Sequence, residues 1–424
     1  MRILVLIKPV ALLDTAIFHA DHTIERAKSR HAISPSDAYA LLLARGCKRD
    51  NPDVSITVLS MSSEAQRPLL ESLKAYEIDQ MVHLSDRAFS KSDTLVTAKI
   101  LSIAIERLEP FSLILAGQMS TDAETAQVPA QLATLLDFPF ISSVEEIELL
   151  SHTVEVRRYL EYERQTWKLP LPAILSVCSK GQGLQPPSLK GLRKARSVSL
   201  VSVSNEDLAF DTSTIGSKGS PTMVVRCSRN QLERRNSRVV DDPIEGARLI
   251  WEAVKSAKSE SHDQTIKRPK VFMGSGCDET VIVLSFLFDP ISYNTSLQIV
   301  GELSQYGKPP IVMALGEKLS EEMIRGFESS GAGKVRYLAC PDTLAEDLYA
   351  KYIENNLGSS VKVVLGGASI RMRTSMAMLS AKTESGLAAD CTAFSIDEGI
   401  LEVVRPAFGG NVEATIHFRS RIQM

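Results

Sequence analysis

Two stretches of the chain follow one plan, and that repetition limits the available folds more than any composition figure does. The first is SLILAGQMSTDAETAQVPAQLATLLDFPFISSV, from Ser112; the second is VKVVLGGASIRMRTSMAMLSAKTESGLAADCTAF, from Val361. Each has an apolar run, a glycine, a small polar loop, a helix-forming segment and a short strand. Gly117 corresponds to Gly367, and upstream QMVHLSD matches KVRYLAC. Continuous apolar runs suit strands covered on both faces, and parallel neighbours need a helical crossover. The pattern predicts a duplicated unit: an α/β fold of two related, doubly wound, mainly parallel-sheet lobes.

The rest of the chain fits this scheme. RILVL opens a buried strand, and VSITVLSM is another. Ser34 stands where an N-cap would, with Pro35 in the first helical position and Asp37 in the first turn. Leu101, Ala104, Ile105 and Leu108 form a helical stripe. From Ser151 to Val177 the pattern changes to alternation, with Val154 and Val156, which predicts an antiparallel hairpin at the sheet edge. GQGLQPPSLKG reads as a long exposed loop. SAKSESHDQTIKRPK, from Ser256 to Lys270, has no period and reads as a linker. Beyond it TVIVLSFLF, PPIVMALG and VKVVLGG read as strands, and Leu344, Leu348 and Tyr352 mark a helix.

Composition excludes several functions. The net charge is −3, which gives no electrostatic case for nucleic acid or an anionic membrane. The six cysteines show no CxxC spacing and no nearby histidine at metal-ligand spacing, so free thiols are expected and no metal. The apolar core of MRILVLIKPV ends at Lys8, too short for a signal sequence or a membrane span. A cytoplasmic protein is the expectation. No nucleophile-elbow or HxxxH pattern supports hydrolytic chemistry.

Ordered motifs carry a family resemblance. RILVLIKPV, ISPSDAYALLLA, DTLVTAKILSIAIE, LAGQMSTDAETAQVPAQLA, VEVRRYLEYERQTWKLPLPAILSV, PSLKGLRKAR and GSPTMVV resemble the β subunit of electron transfer flavoprotein. SSGAGKVRYL, VVLGGAS, ESGLAADCTAFSID and VVRPAFGGNVEATI resemble the N-terminal domain of its α subunit. The resemblance implies an adenine nucleotide α-hydrolase-like fold and a fusion of subunits. Residues 1–255 would be β-like, 256–279 a linker, and 280–424 α-N-terminal-like. It further implies an electron carrier between flavin dehydrogenases and an acceptor, not a substrate-transforming enzyme. In the family, RSRIQM leads into the α subunit's C-terminal domain, which supplies most contacts to the redox FAD. The 424 residues alone are therefore expected not to hold that flavin. The alternative is a redox-silent AMP- or ADP-binding module, or a scaffold.

The resemblance also assigns residues. It places AMP or a second FAD in the β-like half, with its phosphates on Ser120–Gln131. Ser120, Thr121, Asp122, Thr125, Gln127 and Val128 lie there, beside Gly117, with Leu6, Ser34 and Met61 toward the adenine. The physics suits an anion, because a helix start presents unpaired N–H groups and a positive partial charge. Asp122 could accept from a ribose or cap the loop. Two family glycines are replaced, by Ala123 and Pro129, and proline removes a donor. In the mirrored loop Arg373 matches a family arginine, while Met372 and Met378 replace a glycine and an arginine. Met372, Met376 and Leu379 at helical spacing read as core. Leu189 matches an anchor leucine for acyl-CoA dehydrogenase-type or other flavin dehydrogenase partners, with Lys194 and Arg196 as a basic rim. A separate FAD-domain chain is a further candidate partner. Arg405–Asn411 reads as a tight turn.

Overall fold

Strand Arg2–Leu6 runs through the middle of a nine-stranded sheet, with four residues of its five fully enclosed by helices on both faces. The computed structural model describes residues 1–12, 29–108, 110–179, 181, 183–229, 239–260, 278–305, 307, 309–397 and 399–424. On one side of Arg2–Leu6 lie Ser55–Met61, Gln80–Leu84 and Ser199–Val203, all parallel. On the other lie Leu113–Gly117, Ala173–Val177 and Phe140–Leu149, also parallel. The predicted edge hairpin is Thr153–Tyr159 with Arg164–Pro170, antiparallel, and Val154 and Val156 point into the core.

The second half repeats the central order. Its parallel sheet runs Lys334–Ala339, Pro310–Gly316, Asp278–Phe286, Val363–Gly366. The chain thus builds outward on one side of its first strand, then crosses to the other, as it does in the first half. Gly117 and Gly367 occupy equivalent places at strand ends. A Cβ on Gly117 would sit 2.2 Å from Asp37 Oδ1, in the first turn of helix Pro35–Asp50. One on Gly367 would sit 2.9 Å from Thr295 Cβ and 3.1 Å from Ser292 Cα, in helix Pro290–Gln305. Only glycine lets each strand end pass that close to the helix after the first strand.

The lobes meet through equivalent helices, Val128–Leu136 and Ile370–Lys382, and one apolar cluster draws on both. Gln131 Nε2 donates to Ser380 Oγ at 3.0 Å, and Thr374 Oγ1 to Ser142 Oγ at 3.2 Å. The sheets do not divide cleanly at the linker, however. Thr222–Arg229, from the first half, pairs antiparallel with Val412–Phe418 in a sheet otherwise built from Ile400–Ala407 and Ala393–Asp397. Helix Pro243–Glu260 also runs into the segment read as linker, through helix-favouring Ala257, Lys258 and Glu260. The rest of that segment, 261–277, lies outside the described residues.

Candidate functional site

In each lobe the strand order reverses beside the first strand, and ligands of open α/β sheets bind at the carboxyl ends there. In the first lobe the loop after Leu113–Gly117 folds over that point. Lys8, next to the end of the first strand, reaches into it. Its Nζ lies 3.1 Å from Ser120 Oγ and 2.7 Å from Asp122 Oδ1. Asp122 is buried, so it points inward, but the ammonium offsets its charge. Sequence reasoning read Lys8 only as the end of a strand.

Ser34 stands at the N-cap of helix Pro35–Asp50, but its hydroxyl makes no cap bond. It donates instead to Met119 O at 3.3 Å, tying the loop to the sheet edge. Leu6 is buried at the same edge and Met61 half-buried. Asp37 is more than a first-turn acid: it accepts from Lys8 N at 2.8 Å and Gly117 N at 3.0 Å. Burial pushes its pKa up to about 7 against those bonds. Ser292 does the matching job in the second lobe, accepting from Phe286 N at 3.0 Å.

The loop's backbone is unusual. Glu124 N donates to Ser120 O at 2.9 Å, and both Glu124 and Ala126 have φ of 53°. Such values are uncommon outside glycine and concentrate at functional sites. Ala123, where the family has glycine, takes no positive φ. Among the described residues, the N–H groups of Thr125, Ala126, Gln127 and Val128 donate to no protein acceptor. Thr121 is exposed and Thr125 half-buried. Pro129 is the second residue of helix Val128–Leu136, where its missing N–H breaks no intrahelical bond.

Gln127 is committed elsewhere. It is buried, its Oε1 accepts from Thr94 Oγ1 at 2.5 Å, and its Nε2 donates to Leu387 O at 3.2 Å. Its side chain braces the loop against the second lobe, which leaves a ribose or phosphate to the backbone. In the mirrored loop, Arg373 Nη2 lies 2.6 Å from Asp390 Oδ1. Both line a crevice of about 570 Å³ at the end of Val363–Gly366. Met372, Met376, Met378 and Leu379 are buried, as their spacing predicts.

The segment expected as a long loop contains a short helix, Leu189–Lys194, capped by Ser188 Oγ, which accepts from Gly191 N at 3.1 Å. Leu189 is 77% exposed. Lys194 is not free: its Nζ lies 2.9 Å from Asp79 Oδ1. Arg196 is exposed. No metal-ligating cluster and no helix long and apolar enough to cross a membrane occur among the described residues.

The model of the electron transfer flavoprotein domain matches residues 21–208 and 295–424. The chain belongs to the electron transfer flavoprotein family. With that membership goes an electron-transfer-flavoprotein-like carrier role. Relatives include the electron transfer flavoprotein subunit beta of Thermoanaerobacterium thermosaccharolyticum, 34% identical over 55% of this chain and 90% of its own. A second is the caffeyl-CoA reductase-Etf complex subunit CarD of Acetobacterium woodii, 31% identical over 53% and 87%. Protein FixA of Bradyrhizobium diazoefficiens is 29% identical over 55% and 83%.

Proposed function

We propose that this member of the family is an electron carrier, not a substrate-transforming enzyme, and that it holds AMP or the AMP part of FAD in its first lobe. The observation that carries the nucleotide reading is the run of unpaired N–H groups at Thr125–Val128, at the point where the strand order reverses. An anion there would be met by four backbone donors and the helix start. Ser120, Thr121 and Thr125 would add hydroxyls. Leu6, Ser34 and Met61 would border the adenine, and Gly117 would keep the floor low. Asp122, neutralised by Lys8, would fix the loop and not repel the phosphate.

A redox flavin ring asks for more. It needs a largely enclosed apolar pocket with placed polar groups. The turn Phe408–Asn411, with Gly409 and Gly410 at positive φ, would give one wall. On this reading the electron donor is a flavin dehydrogenase docking at Leu189, and a chain carrying the FAD domain is a candidate partner for the flavin ring. The alternative, a redox-silent nucleotide module, shares the first-lobe site and differs in colour. The test is to purify the chain with FAD present, desalt it and record the visible spectrum, then release and chromatograph any nucleotide. Stoichiometric AMP with no yellow colour until a flavin-domain chain is added fits the proposal. Colourless protein that gains no flavin from that chain favours the redox-silent module.

A further inference from the structure

The two lobes exchange hairpins. The first lobe's turn between Thr153–Tyr159 and Arg164–Pro170 reaches the start of helix Ile370–Lys382 in the second. There Glu161 Oε1 accepts from Ile370 N at 2.6 Å, and Glu163 pairs with Arg371. That helix start mirrors the nucleotide loop, and it already holds a carboxylate from its own chain. Its positive end is satisfied without a ligand.

The second lobe's hairpin, Ile400–Ala407 with Val412–Phe418, makes the reciprocal approach and brings the opposite charge. Arg405 Nη2 donates to Ala123 O, inside the nucleotide loop, at 2.6 Å. The residue is only 5% exposed, and its Nε is buried with no partner. No carboxylate among the described residues forms an ion pair with it; Asp390 and Glu124 act on it only through space, and Asp390 is paired with Arg373. Arginine stays charged, so an enclosed guanidinium without a counter-ion is costly. The loop it points into has four unpaired N–H groups; Lys8 offsets Asp122, and Glu124 acts on Arg405 electrostatically without forming an ion pair.

We propose that Arg405 completes the nucleotide site across the lobe boundary, donating to a phosphate oxygen seated on the Thr125–Val128 N–H run. This deepens the nucleotide reading above and rests on it. Two consequences follow. The chain takes one phosphate group, in the first lobe, and none at the mirrored helix start that Glu161 fills. The bound phosphate also ties the lobes together, since its ligands come from both.

The test is calorimetry with AMP and with adenosine, which lacks the phosphate, on the whole chain. Arg405→Gln should weaken AMP about ten- to a hundredfold, the size of a lost charge-assisted hydrogen bond, and leave adenosine unchanged. Arg405 lies in a buried strand, so Arg405→Lys is made alongside. It keeps the charge and stem but loses the planar fork, and AMP should weaken several-fold. Wild-type chain that binds adenosine and AMP, with the same AMP-to-adenosine ratio in the folded variants, would overturn the Arg405 assignment alone. Wild-type chain that binds neither would remove the nucleotide reading itself.

Discussion

The strongest single link between the lobes should be an ion pair that no solvent reaches. Arg158 Nη1 lies 2.7 Å from Glu346 Oε1, and both side chains are 0% exposed. Arg158 Nε donates to Gln165 Oε1 at 2.9 Å, and its guanidinium stacks over Trp167 at 5.4 Å. Glu346 is the first residue of helix Glu346–Asn356, where a negative charge is favoured. Arg158 Nη2 and Glu346 Oε2 have no partner, so the pair is close but not fully satisfied. Breaking it from one side leaves a buried charge unpaired, which costs about 3–5 kcal/mol. Glu346→Gln and Arg158→Met should each lower the denaturant midpoint accordingly. Replacing both partners with apolar residues, Arg158→Met with Glu346→Leu, removes both desolvation costs, and such swaps are often near neutral. The double variant should therefore be more stable than either single one, with a coupling energy of a few kcal/mol in the cycle. Strictly additive losses would refute the reasoning, and so would single variants within about 0.5 kcal/mol of wild type, the usual range for surface positions.

Asp37 sets a pH dependence. Its folded pKa, about 7, is above the ordinary 3.8, so its contribution is fully present below about pH 4 and lost as pH rises to 7. The stability of wild type relative to Asp37→Asn should fall across that window by up to roughly 1.4 kcal/mol per pH unit, and a flat difference would show that Asp37 is ionised throughout. Pro129→Gly restores a donor at the second helical position; AMP should bind roughly tenfold tighter if that N–H faces the phosphate, and unchanged calorimetry would show that it does not. Leu189→Ala should speed dissociation of a flavin dehydrogenase partner in surface plasmon resonance with little effect on melting, and identical off-rates would remove Leu189 as an anchor.

Much of the fold could be read because its signals are local. Ile3–Leu6, Leu113–Gly117 and Val363–Gly366 are short apolar runs ended by a charge or glycine, and they form the central strands. Met372, Met376 and Leu379 share a helical face, so their burial follows from spacing. The short Leu189–Lys194 helix was hidden by its neighbours Pro186 and Pro187, though Ser188 and Gly191 were there to cap and pack it. What could not be read depends on partners far along the chain. Gln127 has the shape of a ligand-binding residue, and only the second lobe's Leu387 carbonyl claims its amide. Thr222–Arg229 carries no mark of the strand it will pair with, which lies in the other half. Lys8 and Arg405 sit inside apolar runs, where a charge reads as a strand boundary until the structure shows what it meets.

The exchange of hairpins bears on why the loop tolerates Pro129. A duplicated unit begins with two equal helix starts, each able to hold an anion. Here they have parted by charge: Glu161 fills one from within, and Arg405 leans over the other. On the proposed reading, a guanidinium from the second lobe offsets the backbone donor that proline removes from the first. A charged donor is worth more to a phosphate than a neutral N–H. The proline at 129 would then cost less affinity while Arg405 is present than without it. Pro129→Gly should therefore recover part of the AMP affinity lost in Arg405→Gln, and it should raise affinity more in that background than in wild type. Equal gains in the two backgrounds would mean that the two donors act independently, and the compensation would have to be given up even if both contact the ligand.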